Sequence, residues 1–490
     1  MKQYGNTMTR RALLRTGAAL SGIAAGGVPL WALGQSKAGS PFKDLGESFG
    51  GRLILPSDSA YEQARRVWNA MIDRHPAAIA QCADVDDVVR AVRFARARAI
   101  PATVRGGGHN VAGKAVQDDA LVIDLGTMQN VSVDPDAKVG RAQGGARWGM
   151  FDAATLNHGL VTTGGTVSTT GVGGLTLGGG LGWLMRKHGL SCDNLVAAEV
   201  VTADGQVLRA SDTENADLFW ALRGGGGNFG VVTTFEFRLH TLEPLIAGMA
   251  LYPQAMVGDM LRLFREYTAS APDNVTAQAG VLAGQPDTPL AGQSVGWIGY
   301  CHSGPIEDGL RLVEPIKSFG PPAVDLIGEM QYRELQTMFD AGMATPTRNY
   351  WRSYFLADLS DEVIDLFVKH ADAGLPNQGT LLLIEHMGGA IARVGDHDTA
   401  FSSRRAKYNA SILNAWQDAA DDVRNTAWTR AFGDALNAHA TGAAYVNYMT
   451  GDEGTERIRS TYQANLDRLI EVKRKYDPDN FFNSNQNIRP

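Results

Sequence analysis

The sequence predicts an α+β protein. A glycine-laced run of strands and short helices comes first, and an α/β domain with an antiparallel sheet follows. Three observations carry this reading. Residues 77–82, a helix behind Asp84 and residues 100–104 form a strand–helix–strand unit that feeds a run of three glycines. Glycine makes up 57 of 490 residues, above the usual ~7%, and much of the excess falls between Gly106 and Gly230 beside strand-like segments. Near residues 242–253 glycine becomes sparse, and amphipathic helices begin to alternate with strands.

Taken in order, residues 61–72 read as a helix or loop ending at His75-Pro76. Asp84 is a helix cap, and Val85, Val88, Val89, Val92 and Ala95 follow at the 3.6 period. Strand 100–104 leads into Gly106-Gly107-Gly108. The loop follows the second strand, whereas a Rossmann glycine motif follows the first and opens a helix. Residues 120–125 are a continuous apolar strand, and 131–133 with 138–143 form a hairpin around Asp134-Pro135-Asp136. Helical spacing covers 148–156. A second glycine block spans 171–182, where the backbone is expected to lie flat against a ligand. Strands 195–202 and 207–210 join at Asp204-Gly205. A helix at 216–222 precedes the third block, 223–232, and strand 233–239.

Beyond residue 253, Met260, Leu261, Phe264 and Tyr267 make one helical face, a core stripe. Strands are expected at 294–300, 350–357, 380–390 and 411–416, with helices at 307–319, 361–370 and 421–440. The tail reads as strand 443–449, helix 456–475, then Tyr476-Asp477-Pro478-Asp479-Asn480-Phe481-Phe482. No internal repeat is found.

Composition narrows the function. A hydrophobic share of 44% and a charged share of 20% fit a soluble globular protein. A net charge of −7 argues against nucleic acid as partner, which needs a basic footprint. Cys82, Cys192 and Cys301 are odd in number and widely spaced, giving neither a disulfide framework nor a metal motif. No metal is expected. Residues 1–34 carry Arg10-Arg11, an apolar Ala/Gly run and the small residues Ala32-Leu33-Gly34. This is a twin-arginine export signal, which places the mature protein in the periplasm or outside the cell. The apolar run is too short and too glycine-rich for a membrane span, and no span is expected in the mature chain.

The chemistry centres on Arg105-Gly106-Gly107-Gly108-His109-Asn110. Glycine tolerates positive φ and close backbone approach, and successive N–H groups make an anion-binding concavity. Arg105 adds a fixed positive charge. The stretch reads as a diphosphate cradle with His109 beside the remainder of a dinucleotide. A structural turn carrying a solvated histidine is the alternative for this stretch taken alone.

Together, Arg105–His109, the 171–182 block, Gly189-Leu190-Ser191-Cys192-Asp193-Asn194, the 223–232 block, Tyr445-Val446-Asn447-Tyr448 and the ending 476–488 carry a resemblance. The chain resembles the FAD-linked oxidoreductases of the vanillyl-alcohol oxidase / PCMH superfamily, berberine-bridge-enzyme-like branch. The resemblance implies a two-lobed PCMH-type FAD-binding domain (55–242), an α/β substrate domain with an antiparallel sheet (243–440), and a C-terminal segment (441–490) that returns to the FAD domain. It implies FAD bound covalently through His109. Cofactor contacts are expected from Arg105 to Asn110, from Thr170, Gly171, Gly174, Gly178 and Gly180, from Asn228, Gly230 and Val232, and from Asn487. Some members add a cysteinyl flavin bond. The matching position here is Val167, and Cys192 reads as a packed thiol, so a single bond is expected.

The resemblance further implies hydride transfer to flavin from a small organic alcohol, sugar or amine. O2 is the expected acceptor, with H2O2 released. A quinone or protein acceptor, or a non-catalytic binding protein, are the alternatives. Tyr448 matches the family's tyrosine base. If 443–449 is a strand, Tyr445 faces away from Tyr448. Other members place a glutamate five residues after the first Gly of a Gly-Gly pair. Here Gly388 leads to Arg393, which puts more weight on Tyr448. Tyr350, Trp351 and Tyr445 are the expected substrate contacts.

Overall fold

The computed structural model describes residues 42–285 and 290–490. The signal-peptide reading of residues 1–34 lies outside the described residues.

The predicted strand–helix–strand unit forms. Asp84 caps the helix Val85–Ala97, its side chain accepting the Asp87 N–H at 2.9 Å. Val88, Ala91, Val92 and Ala95 are buried under the first sheet. That sheet has four strands in the spatial order Arg52–Ile54, Ala78–Gln81, Leu121–Asp124, Ala102–Arg105. Its last three strands are parallel, and parallel neighbours need the crossover that the helix supplies. A second, antiparallel sheet runs Val131–Asp134, Val139–Gln143, Val231–Arg238, Leu195–Val201, Val207–Ser211. Most of the second sheet packs in its own cluster, while Val201 and Val231 at its end join the cluster of the first sheet.

The third sheet is wholly antiparallel. Its long strands run Leu245–Tyr252, Ser294–Ser303, Val275–Ala283, Leu381–His386, Tyr408–Trp416, Arg348–Leu356. Period-two alternation divides its residues between two faces. Ala277, Ala279, Val281, Leu382, Ile384, Ala410 and Ile412 pack in one cluster with Met260, Leu261 and Phe264 of helix Val257–Ser270 and with residues of helices Ile306–Ser318, Asp361–Asp372 and Asp422–Asn437. The intervening residues, among them Gln278, Leu383 and Leu413, line a cleft shared with the glycine blocks.

The C-terminal segment returns to the first sheets through a buried cation. Lys473, on helix Leu466–Tyr476, is fully buried and donates to Asp477 at 2.6 Å, the Asn228 carbonyl at 2.7 Å and the Phe482 carbonyl at 2.9 Å.

Several local readings are corrected. The helix expected at 456–475 is broken at Gln463, whose φ is 46°, into Thr455–Tyr462 and Leu466–Tyr476. Of 61–72, Tyr61–Ala64 is helical. The second glycine block does not lie flat, because Val172–Leu177 is a helix. The strand expected at 443–449 is instead a tight 3₁₀ turn over Val446–Tyr448. Its apolar-polar alternation mimics a strand, but side-chain bonds close the turn. Asn447 Nδ2 donates to the Leu175 carbonyl at 3.0 Å and to the Tyr445 hydroxyl at 2.9 Å.

Candidate active site

One long cleft runs from the first glycine loop, past the second and third, to the open face of the large sheet. Gly106, Gly107, Gly108, His109, Asn110, Thr170, Gly171, Gly174, Asn228, Gly230 and Val232 all line it. The loops meet backbone to backbone: a Cβ on Gly107 would stand 2.5 Å from the Gly171 Cα. At Gly174 and Gly227, both in the cleft wall, a Cβ would meet nothing within 4 Å. Bare backbone therefore faces open space there, as a dinucleotide cradle requires. From the tail, Ser484, Asn485 and Gln486 line the cleft, and Asn485 Oδ1 has no hydrogen-bond partner.

His109 follows Gly108, which turns the chain at φ 65°. Its ring stacks on Trp68 at 4.5 Å between centroids, and its Nε2 lies 3.2 Å from Thr169 Oγ1. Burial, and secondarily the charge of Arg147, push the imidazole down to about 4. The ring is neutral at physiological pH, so one ring nitrogen keeps its lone pair.

Some expected contacts go elsewhere. The Arg105 guanidinium does not line the cleft. It binds Asp124 at 2.6 and 3.0 Å, and also the Ala64 carbonyl, tying the strand end to the preceding loop. Among the described residues of the cleft wall, the one lysine or arginine side chain is Lys114, and burial holds its ammonium below the usual lysine value. Gly178 makes room for Asn447, whose Oδ1 would lie 2.2 Å from a Cβ there. Gly180 donates its N–H to the Tyr445 hydroxyl at 3.0 Å. Asn228 reaches the wall, but its amide is spent on the Gly225 carbonyl, the Gln486 carbonyl and the Ile488 N–H. Asn487 is absent from the wall, one residue past the tail's last lining position.

At the sheet end, the 3₁₀ turn overturns the opposite-faces expectation. Tyr445 and Tyr448 both line the cleft, with ring centroids 4.8 Å apart. Trp351 lines it too and meets Tyr448 edge-on at 5.4 Å. Tyr350 does not. Its strand neighbour takes the cleft face, and its own hydroxyl joins Asp452 at 2.7 Å with Arg352 and Arg430.

Arg393 pairs with Asp273 away from the cleft. A carboxylate does lie on the other side of the Gly388-Gly389 pair: Glu385, 1% exposed, on strand Leu381–His386, buried and not itself part of the cleft wall. Asn409 Nδ2 donates to its Oε2 at 2.7 Å. Burial raises the carboxyl to about 7. Burial also pushes the Tyr448 phenol well above its usual value, and the nearby Glu385 charge pushes it further. Sequence reasoning missed Glu385, Trp68 and Lys114. The available signal was a lone glutamate ending the apolar run Leu381-Leu382-Leu383-Ile384. Trp68 and Lys114 carry no comparable pattern.

Cys82, Cys192 and Cys301 are buried and none lines the cleft, while Val167 does. Burial pushes all three thiols up. Among the described residues no group of three or more His, Cys, Asp or Glu could hold a metal ion, and no helix is long and apolar enough to cross a membrane.

A glycine cradle open to a dinucleotide, with a neutral imidazole in its wall, defines the class: a nucleotide-cofactor redox site facing a large antiparallel sheet. Comparison with known proteins agrees. Residues 76–211 match the FAD binding domain family model and 444–489 the berberine and berberine-like model. An FAD-linked oxidoreductase of Dictyostelium discoideum is 32% identical over 91% of this chain and 96% of its own. The 6-hydroxy-D-nicotine oxidase of Arthrobacter nicotinovorans superposes with a TM-score of 0.82 at 27% identity, covering 90% of this chain and 98% of the other. The glucooligosaccharide oxidase of Acremonium strictum, whose FAD is 6-S-cysteinyl and 8α-N1-histidyl, gives 0.81 at 26% identity over 92% and 99%. The chain belongs to the berberine-bridge-enzyme-like FAD-linked oxidoreductases, and it is an FAD-dependent enzyme.

Proposed function

We propose that this enzyme oxidises a small organic alcohol or amine by hydride transfer to FAD tethered at His109, with O2 as the final acceptor and H2O2 released. The single observation that carries the reading is the shared cleft. A neutral His109 beside bare glycine backbone and Tyr448 line the same cleft, linked by the ring contacts His109–Trp68, Trp68–Trp351 and Trp351–Tyr448, with Glu385 buried nearby. When bound, FAD supplies the two-electron acceptor. The remaining steps belong to this chain's residues.

His109 presents an uncharged ring nitrogen as the tether, held in orientation by Trp68. Gly107, Gly171, Gly174 and Gly227 admit the cofactor to the backbone. Lys114 supplies the positive charge first assigned to Arg105. Tyr448 meets the substrate heteroatom and takes its proton while handing its own to Glu385. An elevated phenol is a poor base alone, whereas a carboxylate poised near neutrality is a competent acceptor. Tyr445 is held by the Gly180 N–H and Asn447, and shapes the pocket. A single flavin bond is supported by Val167 in the wall where a cysteine would be needed.

The twin-arginine signal supports export to the periplasm or beyond, and a tether suits an enzyme with no cofactor supply there. The test is the purified protein's absorbance and fluorescence after SDS denaturation, with O2 uptake and H2O2 during turnover. Flavin is expected to stay with the polypeptide in the parent chain and to become extractable in His109→Ala. Flavin freely extractable from the parent chain would refute the tether.

A further inference from the structure

Strand register sorts the sheet-facing wall of the cleft by chemistry. Gln278 pairs across the sheet with Glu385, and Glu385 pairs with Asn409, so the polar groups fall in one row. One step along the same face, Gly280 pairs with Trp297 and with Leu383, and the row continues through Ser411 and Ser353, which are fully buried and outside the cleft wall. One step further, Leu282 pairs with Leu381, Leu381 with Leu413, and Leu413 with Trp351. Phe339 and Met343 add to this apolar end of the cleft wall. A Cβ on Gly280 would stand 1.9 Å from the Leu382 carbonyl oxygen and 3.2 Å from the Trp297 ring nitrogen, so glycine is required between them. The Trp297 N–H is already directed at the Leu382 carbonyl at 3.4 Å, while the Trp351 N–H has no partner.

The wall thus offers Gln278 and Tyr448 and then an apolar shelf whose one unpartnered donor, the Trp351 N–H, is itself buried. A buried hydroxyl left without a partner costs about 1–3 kcal/mol. A sugar ring carries several, and this shelf leaves most of them unmatched. An aryl or alkyl body loses nothing there and gains burial against indole and leucine surfaces.

We propose that the substrate is an alcohol or amine borne on an apolar, ring-sized body, and not a carbohydrate. Its heteroatom sits at Tyr448 and Gln278, and its apolar body lies on the shelf of Trp297, Leu383, Leu413 and Trp351. This rests on the flavoenzyme reading above.

The experiment mixes the full-length holoenzyme anaerobically with two panels. One holds benzyl alcohol, indanol and N-methylbenzylamine; the other holds cellobiose and xylobiose. Perturbation of the flavin's visible band reports binding, and its bleaching reports hydride transfer. The aryl panel is expected to perturb the band at lower concentration than the sugars and to bleach it. In Leu383→Gln, which places an amide on the shelf, affinity for the aryl probes is expected to fall by about tenfold or more, with Leu383→Met close to the parent. Met343→Gln serves if Leu383→Gln does not fold. Tighter binding of the sugars, or no response to either panel from a flavin-loaded enzyme, overturns the apolar class and leaves the flavoenzyme reading standing. A chain that purifies without flavin overturns both.

Discussion

Replacing Glu385 by glutamine removes one proton-binding site and keeps an acceptor oxygen for Asn409 Nδ2. Burial raises this carboxyl from 4.5 to about 7. The unfolded chain ionises at the lower value, so the fold binds the extra proton between the two. The stabilising contribution is fully present below 4.5 and is lost as pH rises through about 7. Each tenfold change in proton affinity is about 1.4 kcal/mol, so keeping the ionised form inside the fold at about pH 8 costs about 3 kcal/mol. Glu385→Gln does not pay this cost. Its Tm relative to the parent should be higher at about pH 8 than at about pH 4. Catalysis should move the other way. Without the acceptor, flavin reduction by substrate should slow by about 10²–10⁴-fold, the usual range for a positioned acid or base. The parent's loss of rate below about pH 7 should disappear with the carboxylate. Stopped-flow reduction and thermal melts across pH test both arms. A variant that keeps the acid limb near neutrality assigns the proton to another group, and a Tm difference independent of pH means Glu385 does not titrate in this range.

Tyr448→Phe is expected to slow flavin reduction while leaving FAD bound; an unchanged rapid-mixing rate removes the phenol from the relay. In the His109→Ala background, where binding is reversible, Lys114→Met should weaken FAD by about ten- to a hundredfold, since a charge-assisted hydrogen bond is worth about 1.5–3 kcal/mol. Equal affinity in a flavin-fluorescence titration would place the diphosphate away from Lys114. Lys473→Met leaves Asp477 buried without its ion-pair partner and should destabilise the fold by about 3–5 kcal/mol. Denaturant melts read this directly, and a midpoint within error of the parent would show the tail held by other contacts.

The glycine loop and His109 were legible because their chemistry is local: three glycines after a strand mean close backbone approach whatever the fold around them. The helix behind Asp84 was legible for the same reason, since its cap and 3.6 period lie within one segment. Which face of a residue matters, however, depends on partners far along the chain. Arg105 is a free cation in sequence and a bound one in the fold, because Asp124 comes to it on the neighbouring parallel strand. Tyr445 and Tyr448 read as opposite faces of a strand until Gly180 and the Leu175 carbonyl close them into a turn. Glu385 is one polar residue in an apolar strand, and only cross-strand register sets it beside Gln278 and Asn409. The sequence by itself determined that a glycine-rich concavity would form beside an imidazole. The tertiary structure decided which side chains share the cleft and which are tied up elsewhere, because pairing between strands, and the burial that comes with it, is a property of the assembled sheet and not of any one segment.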